Sequence, residues 1–225
     1  MNLQEREAIV LEVLGRMKDF HLVLVGGYAV NAYVPPRFSV DCDVVVMEGL
    51  KEVEKALMDS GFTKAKNRMP QGVKFMRYVR EKEKVAFDLM IGEVSDRTVI
   101  TFEKGVFEKY SSKRAVVGRA SQERIEMRVA DPELLFAMKF VAGRRQDVRD
   151  MFMLAGAEPD WMITKEIILK KCSETLIRER VKLIEETIRS DTYRKSLEGA
   201  FGGVPEDRFV ACKDRLSKFL KEFEN

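Results

Sequence analysis

Histidine occurs once in the 225 residues, at His21, and cysteine three times, at Cys42, Cys172 and Cys212. The cysteines stand far apart with no Cys-x-x-Cys pair, which excludes the usual zinc spacings and a disulfide framework. A single histidine and no Gly-x-Ser-x-Gly string leave no basis for a Ser-His-Asp or Cys-His hydrolase. His21 follows Phe20 and precedes an apolar run, so it reads as an ordinary surface or half-buried histidine. No apolar run approaches the ~20 residues that span a bilayer. The opening MNLQEREAIV is polar and acidic, unlike a signal peptide. The expected compartment is the cytosol, with no membrane partner. Chemistry, if present, falls to carboxylates.

Charge of one sign is also lacking: 40 basic side chains face 37 acidic ones, a net of +3. That balance demands no nucleic-acid partner but permits a local basic face. Hydrophobic residues at 45% describe a globular chain, and charged residues at 34% describe an unusually charged surface. Abundant Lys and Glu beside few Asn and Gln is a thermophile-like bias.

Periodicity divides the chain at Asp131. Before it, Ala8, Val10, Leu11, Leu14 and Met17 recur at helical spacing. Residues 21–25 form a β-rich run ended by Gly26-Gly27, and residues 28–33 are helix material closed by Pro35-Pro36. Residues 39–47 read as a strand with Val40, Cys42, Val44 and Val46 turned to the core. A helix over residues 50–60 follows, then a hairpin of residues 73–79 and 84–91, and short β runs at 115–117 and 125–129. Asp131-Pro132-Glu133 is a helix start, with a cap, Pro at the first position and acid in the first turn. The rest is helical, with breaks at Gly156, Pro159 and Gly202-Gly203. The expected fold is α+β: a mixed sheet flanked by helices over 1–130, then a helical domain over 131–225. The apolar positions of the last helices read as bundle core, their charge runs as solvated faces.

The chemistry concentrates in LVGGYAVNAYVPPRFSVDCDVVV, residues 24–46. Asp41 and Asp43, two apart in a strand, project from one face. Adjacent carboxylates repel unless a cation lies between them, and Mg²⁺ prefers such hard oxygen ligands together with substrate phosphates. Upstream, with thirteen residues between, a strand ends in Gly26-Gly27 and passes into a helix, leaving open backbone N–H groups where a side chain would block an anion. Arg37 and Ser39 add a charge and a hydroxyl. Asp88, alone in the apolar run 85–91, is a third carboxylate on the face opposite Val85, Phe87, Leu89 and Ile91; Asp96, in a polar stretch, is a weaker rival.

Hydrophobic-Gly-Gly, a spacer, then Asp-x-Asp resembles the first motif of the DNA polymerase β-type nucleotidyltransferases. Gly26-Gly27-Tyr28-Ala29 with Arg37-Phe38-Ser39-Val40-Asp41-Cys42-Asp43 is most similar to the branch holding the nucleotidyltransferase toxins of prokaryotic abortive-infection systems. The resemblance runs over about residues 22–154. It implies transfer of a nucleoside monophosphate from a nucleoside triphosphate to an acceptor hydroxyl on tRNA, protein or a small molecule, with loss of pyrophosphate. It implies two Mg²⁺ ions, or Mn²⁺, on Asp41, Asp43 and Asp88, with Asp88 also acting as base. Gly26, Gly27, Arg37, Ser39, Lys139 and Asp147 would serve the nucleotide, and an antitoxin protein is the implied partner. Lys139, in an apolar helix, either meets phosphate or snorkels to solvent; Asp147 either supports catalysis or caps the next helix. Lys64, Lys66, Arg68, Lys74, Arg77 and Arg80, then Lys113, Arg114 and Arg119, form either an RNA-facing groove or an ordinary charged surface. The competing readings are a catalytically inactive nucleotide-binding regulator and a helical interaction module.

Overall fold

The computed structural model describes residues 2–65, 74–95 and 100–223. Lys66, Arg68 and Asp96 of the reading above lie outside them. Two compact units emerge, one of Met1–Ala32, Pro36–Ser95 and Thr101–Asp131, the other of Tyr33–Pro35, Asp96–Ile100 and Pro132–Asn225.

The first unit is built on a seven-stranded mixed sheet in the order β3-β4-β5-β2-β1-β9-β8. Its strands are β1 (Leu22–Val25), β2 (Asp41–Val46), β3 (Thr63–Lys64), β4 (Phe75–Arg80), β5 (Val85–Ile91), β8 (Ser111–Val117) and β9 (Arg124–Ala130). β2 runs parallel to β5 and β1 parallel to β9; the other neighbours are antiparallel. A small hairpin, β6 (Val94–Ser95) with β7 (Thr101–Phe102), and α4 (Lys104–Lys109) lie between β5 and β8. On one face α1 (Leu3–Met17) and α3 (Leu50–Asp59) bury Val10, Leu11, Leu14, Val53 and Leu57 beside Phe62 and Phe87, whose rings meet edge to face at 5.3 Å.

Two inward positions differ from the periodic reading. Ala8 is exposed, while Glu7 beside it is 1% exposed. The Glu7 carboxylate accepts the backbone N–H groups of Arg119 and Ala120, each at 2.8 Å, which compensates its burial. Val40 is 54% exposed, because β2 begins one residue later and the alternation has not yet started.

The second unit is helical: α5 (Pro132–Ala142), α6 (Arg145–Ala155), α7 (Trp161–Lys171), α8 (Glu174–Arg189), α9 (Tyr193–Phe201) and α10 (Glu206–Lys221). Asp160 caps α7 through the N–H groups of Met162 and Ile163, and Ser173 caps α8 through that of Leu176. Phe136, Trp161 and Phe219 form an aromatic core, Trp161 stacking on Phe219 at 4.4 Å. Among the described residues no helix is long and apolar enough to cross a membrane.

Candidate active site

Register brings the carboxylates together. Asp43 on β2 lies directly opposite Asp88 on β5, and Asp88 lies opposite Arg77 on β4. Asp41, two residues before Asp43, shares its face. Asp88 is 9% exposed. Arg77 Nη1 donates to both its oxygens, at 3.2 and 3.0 Å, and Nη2 donates to Asp41 Oδ1 at 2.8 Å. Arg77 was legible only as one more basic residue in a run, yet it lies inside the acidic cluster. The other described members of that run also meet carboxylates: Lys64 meets Glu54, Lys74 meets Glu93 and Arg80 meets Glu83.

The turn after β1 completes the arrangement. α2 (Gly26–Val30) starts at the first glycine, earlier than the run beginning at Tyr28 suggested. Gly26 has φ +68°, and a Cβ there would fall 2.0 Å from Asp43 Oδ2; a Cβ on Gly27 would fall 2.3 Å from Ser39 Oγ and 3.0 Å from an Arg37 nitrogen. The missing side chains are therefore what lets Asp43, Ser39 and Arg37 close over this turn. Asn31, 2% exposed and unremarked in the sequence, fixes the loop: its Nδ2 donates to the Arg37 carbonyl at 2.9 Å and its Oδ1 accepts from the Arg37 N–H at 3.1 Å. Ser39 Oγ donates to the Asp41 carbonyl at 3.2 Å. Gly26→Ala is expected to lower stability by about 1–2 kcal/mol from the positive φ alone, and to push the Asp43 carboxylate aside. A thermal melt and a Mn²⁺ titration check the two effects; unchanged values in both would mean the turn tolerates a side chain.

The Asp88 carboxyl is pushed up to about 7, first by its burial and then by Asp43; the Arg77 guanidinium opposes the rise and Asp41 adds to it. A carboxyl raised above its unfolded value of about 3.9 binds more protons folded than unfolded in that window. Its stabilising contribution is therefore full at low pH and is lost as pH rises from about 4 to about 7. In chelator-treated buffer, urea unfolding is expected to show this fall between about pH 4 and about pH 7, and Asp88→Asn to flatten it. Equal slopes in both proteins would remove Asp88 as its source. Cys42, between the two aspartates in sequence, is buried on the opposite face, where burial pushes its thiol up and makes it a poor nucleophile.

Three carboxylates on one sheet face are hard oxygen donors of the kind that suit Mg²⁺ or Mn²⁺. Burial first, and then the neighbouring Asp43, hold the Asp88 carboxyl up, and a cation among these oxygens would favour its ionised form. In kind, then, the donors fit a divalent cation. As placed, no three metal-binding side chains among the described residues converge on one point, and Arg77 bridges two of these carboxylates.

Lys139 and Asp147, the two later residues read above as serving the nucleotide, form a buried ion pair. Both belong to the second unit, where Lys139 Nζ lies 3.0 Å from Asp147 Oδ1 and 2.8 Å from Asp150 Oδ2. Asp147 is fully buried, and its Oδ2 accepts the Arg144 backbone N–H at 3.2 Å and Nε at 2.6 Å. It is the third residue of α6 rather than its N-cap, and its carboxylate reaches back to the backbone N–H of the N-cap residue, Arg144. The lysine's burial is thus compensated by carboxylates of its own unit. His21, half-exposed beside Glu48, is a surface residue.

A family model described as nucleotidyl transferase AbiEii toxin, type IV TA system, matches residues 17–225. No curated protein matches. Among solved structures, the antibiotic-resistance factor ANT(2'')-Ia is 10% identical with a TM-score of 0.53, covering 82% of this chain and 97% of its own. The nucleotidyltransferase toxin MenT4 of Mycobacterium tuberculosis H37Rv is 13% identical with a TM-score of 0.49, covering 98% and 90%. The lincomycin-bound lincosamide antibiotic adenylyltransferase LnuA is 17% identical with a TM-score of 0.44, covering 67% and 95%.

Proposed function

The chain belongs to the AbiEii nucleotidyltransferase toxin family and is a nucleotidyltransferase; from that premise we propose that it transfers a nucleoside monophosphate from a nucleoside triphosphate to an acceptor hydroxyl at Asp41, Asp43 and Asp88. The observation that carries this reading is the direct register of Asp43 with Asp88, beside a Gly26-Gly27 turn built without side chains. The acceptor oxygen forms a bond to the α-phosphorus, the bond to the pyrophosphate oxygen breaks, and the hydroxyl proton passes to Asp88. A carboxyl raised toward neutrality suits that task. Backbone N–H groups of Gly26 and Gly27, the Arg37 guanidinium and the Ser39 hydroxyl hold phosphate oxygens, so most of the catalysis is positioning. Asp41, Asp43 and Asp88 would hold Mg²⁺ or Mn²⁺, which supplies positive charge against the triphosphate and lowers the pKa of the attacking hydroxyl.

The acceptor is a hydroxyl on tRNA, protein or a small molecule. The carboxylate partners of Lys64, Lys74, Arg77 and Arg80 argue against an open cationic groove there. The family's type IV toxin–antitoxin context makes an antagonising antitoxin protein the expected partner. The test is calorimetric titration of the four nucleoside triphosphates with Mg²⁺ into the protein and into its Asp41→Ala/Asp43→Ala variant, followed by an acceptor screen beginning with tRNA. Metal-dependent binding lost in the variant supports the site. Binding without turnover on any acceptor would favour a nucleotide-binding regulator.

A further inference from the structure

Arg77 holds the contacts a cation would make. Its two guanidinium nitrogens reach different carboxylates, Asp88 through Nη1 and Asp41 through Nη2. The Cα is fixed, since β4 pairs with β3 on one side and β5 on the other, and Arg77 itself lies opposite Asp88. The guanidinium is freer: the side chain is 31% exposed and sits on a long stem, against 12% for Asp88. A planar fork and a divalent ion seek the same carboxylate oxygens, the first by directed hydrogen bonds, the second by a more concentrated charge.

We propose that Arg77 is a built-in competitor of the divalent cation: it bridges Asp41 and Asp88 and must be displaced before those carboxylates can bind metal. The inference rests on the reading that these aspartates are the metal ligands. Its consequence is selectivity for how the metal arrives. A free ion must evict the guanidinium with nothing to receive it. An ion arriving with a triphosphate brings an anion to which the displaced guanidinium can turn, so metal and nucleotide bind together more readily than metal alone.

The test is a calorimetric titration of full-length protein with Mn²⁺ alone, with thermal melts in its presence and absence. Arg77→Met is expected to bind Mn²⁺ at least tenfold more tightly than the parent, about 1.4 kcal/mol. It should also melt lower without metal and gain more from it. Arg77→Lys, whose ammonium cannot fork across both carboxylates, is expected to bind about threefold more tightly; it carries the test if Arg77→Met does not fold. Parent binding that depends on Asp41, with neither variant any tighter, would overturn the competitor role and leave the metal site standing. Absence of Mn²⁺ binding in the folded parent and both variants would overturn the metal reading and this inference together.

Discussion

Asp88→Asn is expected to lower nucleotidyl transfer by about a thousandfold, roughly 4 kcal/mol of barrier at ~1.36 kcal/mol per tenfold, without lowering stability at pH 8. The change is nearly isosteric and removes only the charge. It deletes the proposed proton acceptor and one of three oxygen donors, which act together. Stability should move the other way. The carboxyl stands at about 7 in the folded protein, so above that pH the ionised form is held against its preference. An amide oxygen can still accept from Arg77, while the burial and the repulsion from Asp43 that disfavour the charge disappear. Loss of activity with an unchanged or raised melting temperature at pH 8 would separate a catalytic Asp88 from a structural one. A protein that keeps turnover, or loses turnover only because it unfolds, would remove Asp88 from the chemistry.

The legible half of the site was the local half. Gly26, Gly27, Asp41 and Asp43 fall within one short stretch, and the two-residue period of a strand puts both aspartates on one face whatever the neighbouring strands do. Asp88 stood out because a lone carboxylate in the apolar run VAFDLMI needs a partner. Arg77 did not stand out. Within Phe75–Arg80 it looks like any charged residue of an exposed strand, and its role arises from the pairing of β4 with β5 and β5 with β2, which no local period encodes. Glu7 was hidden for the same reason: its partners are backbone groups 112 and 113 residues away. So was the parallel pairing of β1 with β9, which joins Leu24 to Val129. A helix start was legible where side chains write it locally, as Asp131-Pro132 precedes α5.

Lys139→Met is expected to destabilise the second unit by about 3–5 kcal/mol, the usual result of removing one partner from a buried ion cluster. The side chains of Asp147 and Asp150 are 0% and 2% exposed, and both contact the same Nζ. Asp147 keeps Arg144 after the change, and Asp150 loses its contact with Nζ. Methionine fills much of the lysine stem's volume, which confines the effect to charge. Trp161 is the chain's single tryptophan, stacked on Phe219 within this unit, so its fluorescence reports the unfolding of this unit directly. At ~2–4 °C per kcal/mol for chains of this size, the transition should fall by roughly 6–20 °C. Adding Asp150→Asn should restore part of the loss, because the second change removes one of the two buried charges that faced Nζ. If Lys139→Met unfolds with the parent while its triphosphate affinity collapses, the lysine serves the nucleotide. A lowered transition, with triphosphate affinity intact below it, places Lys139 with the aspartates that surround it.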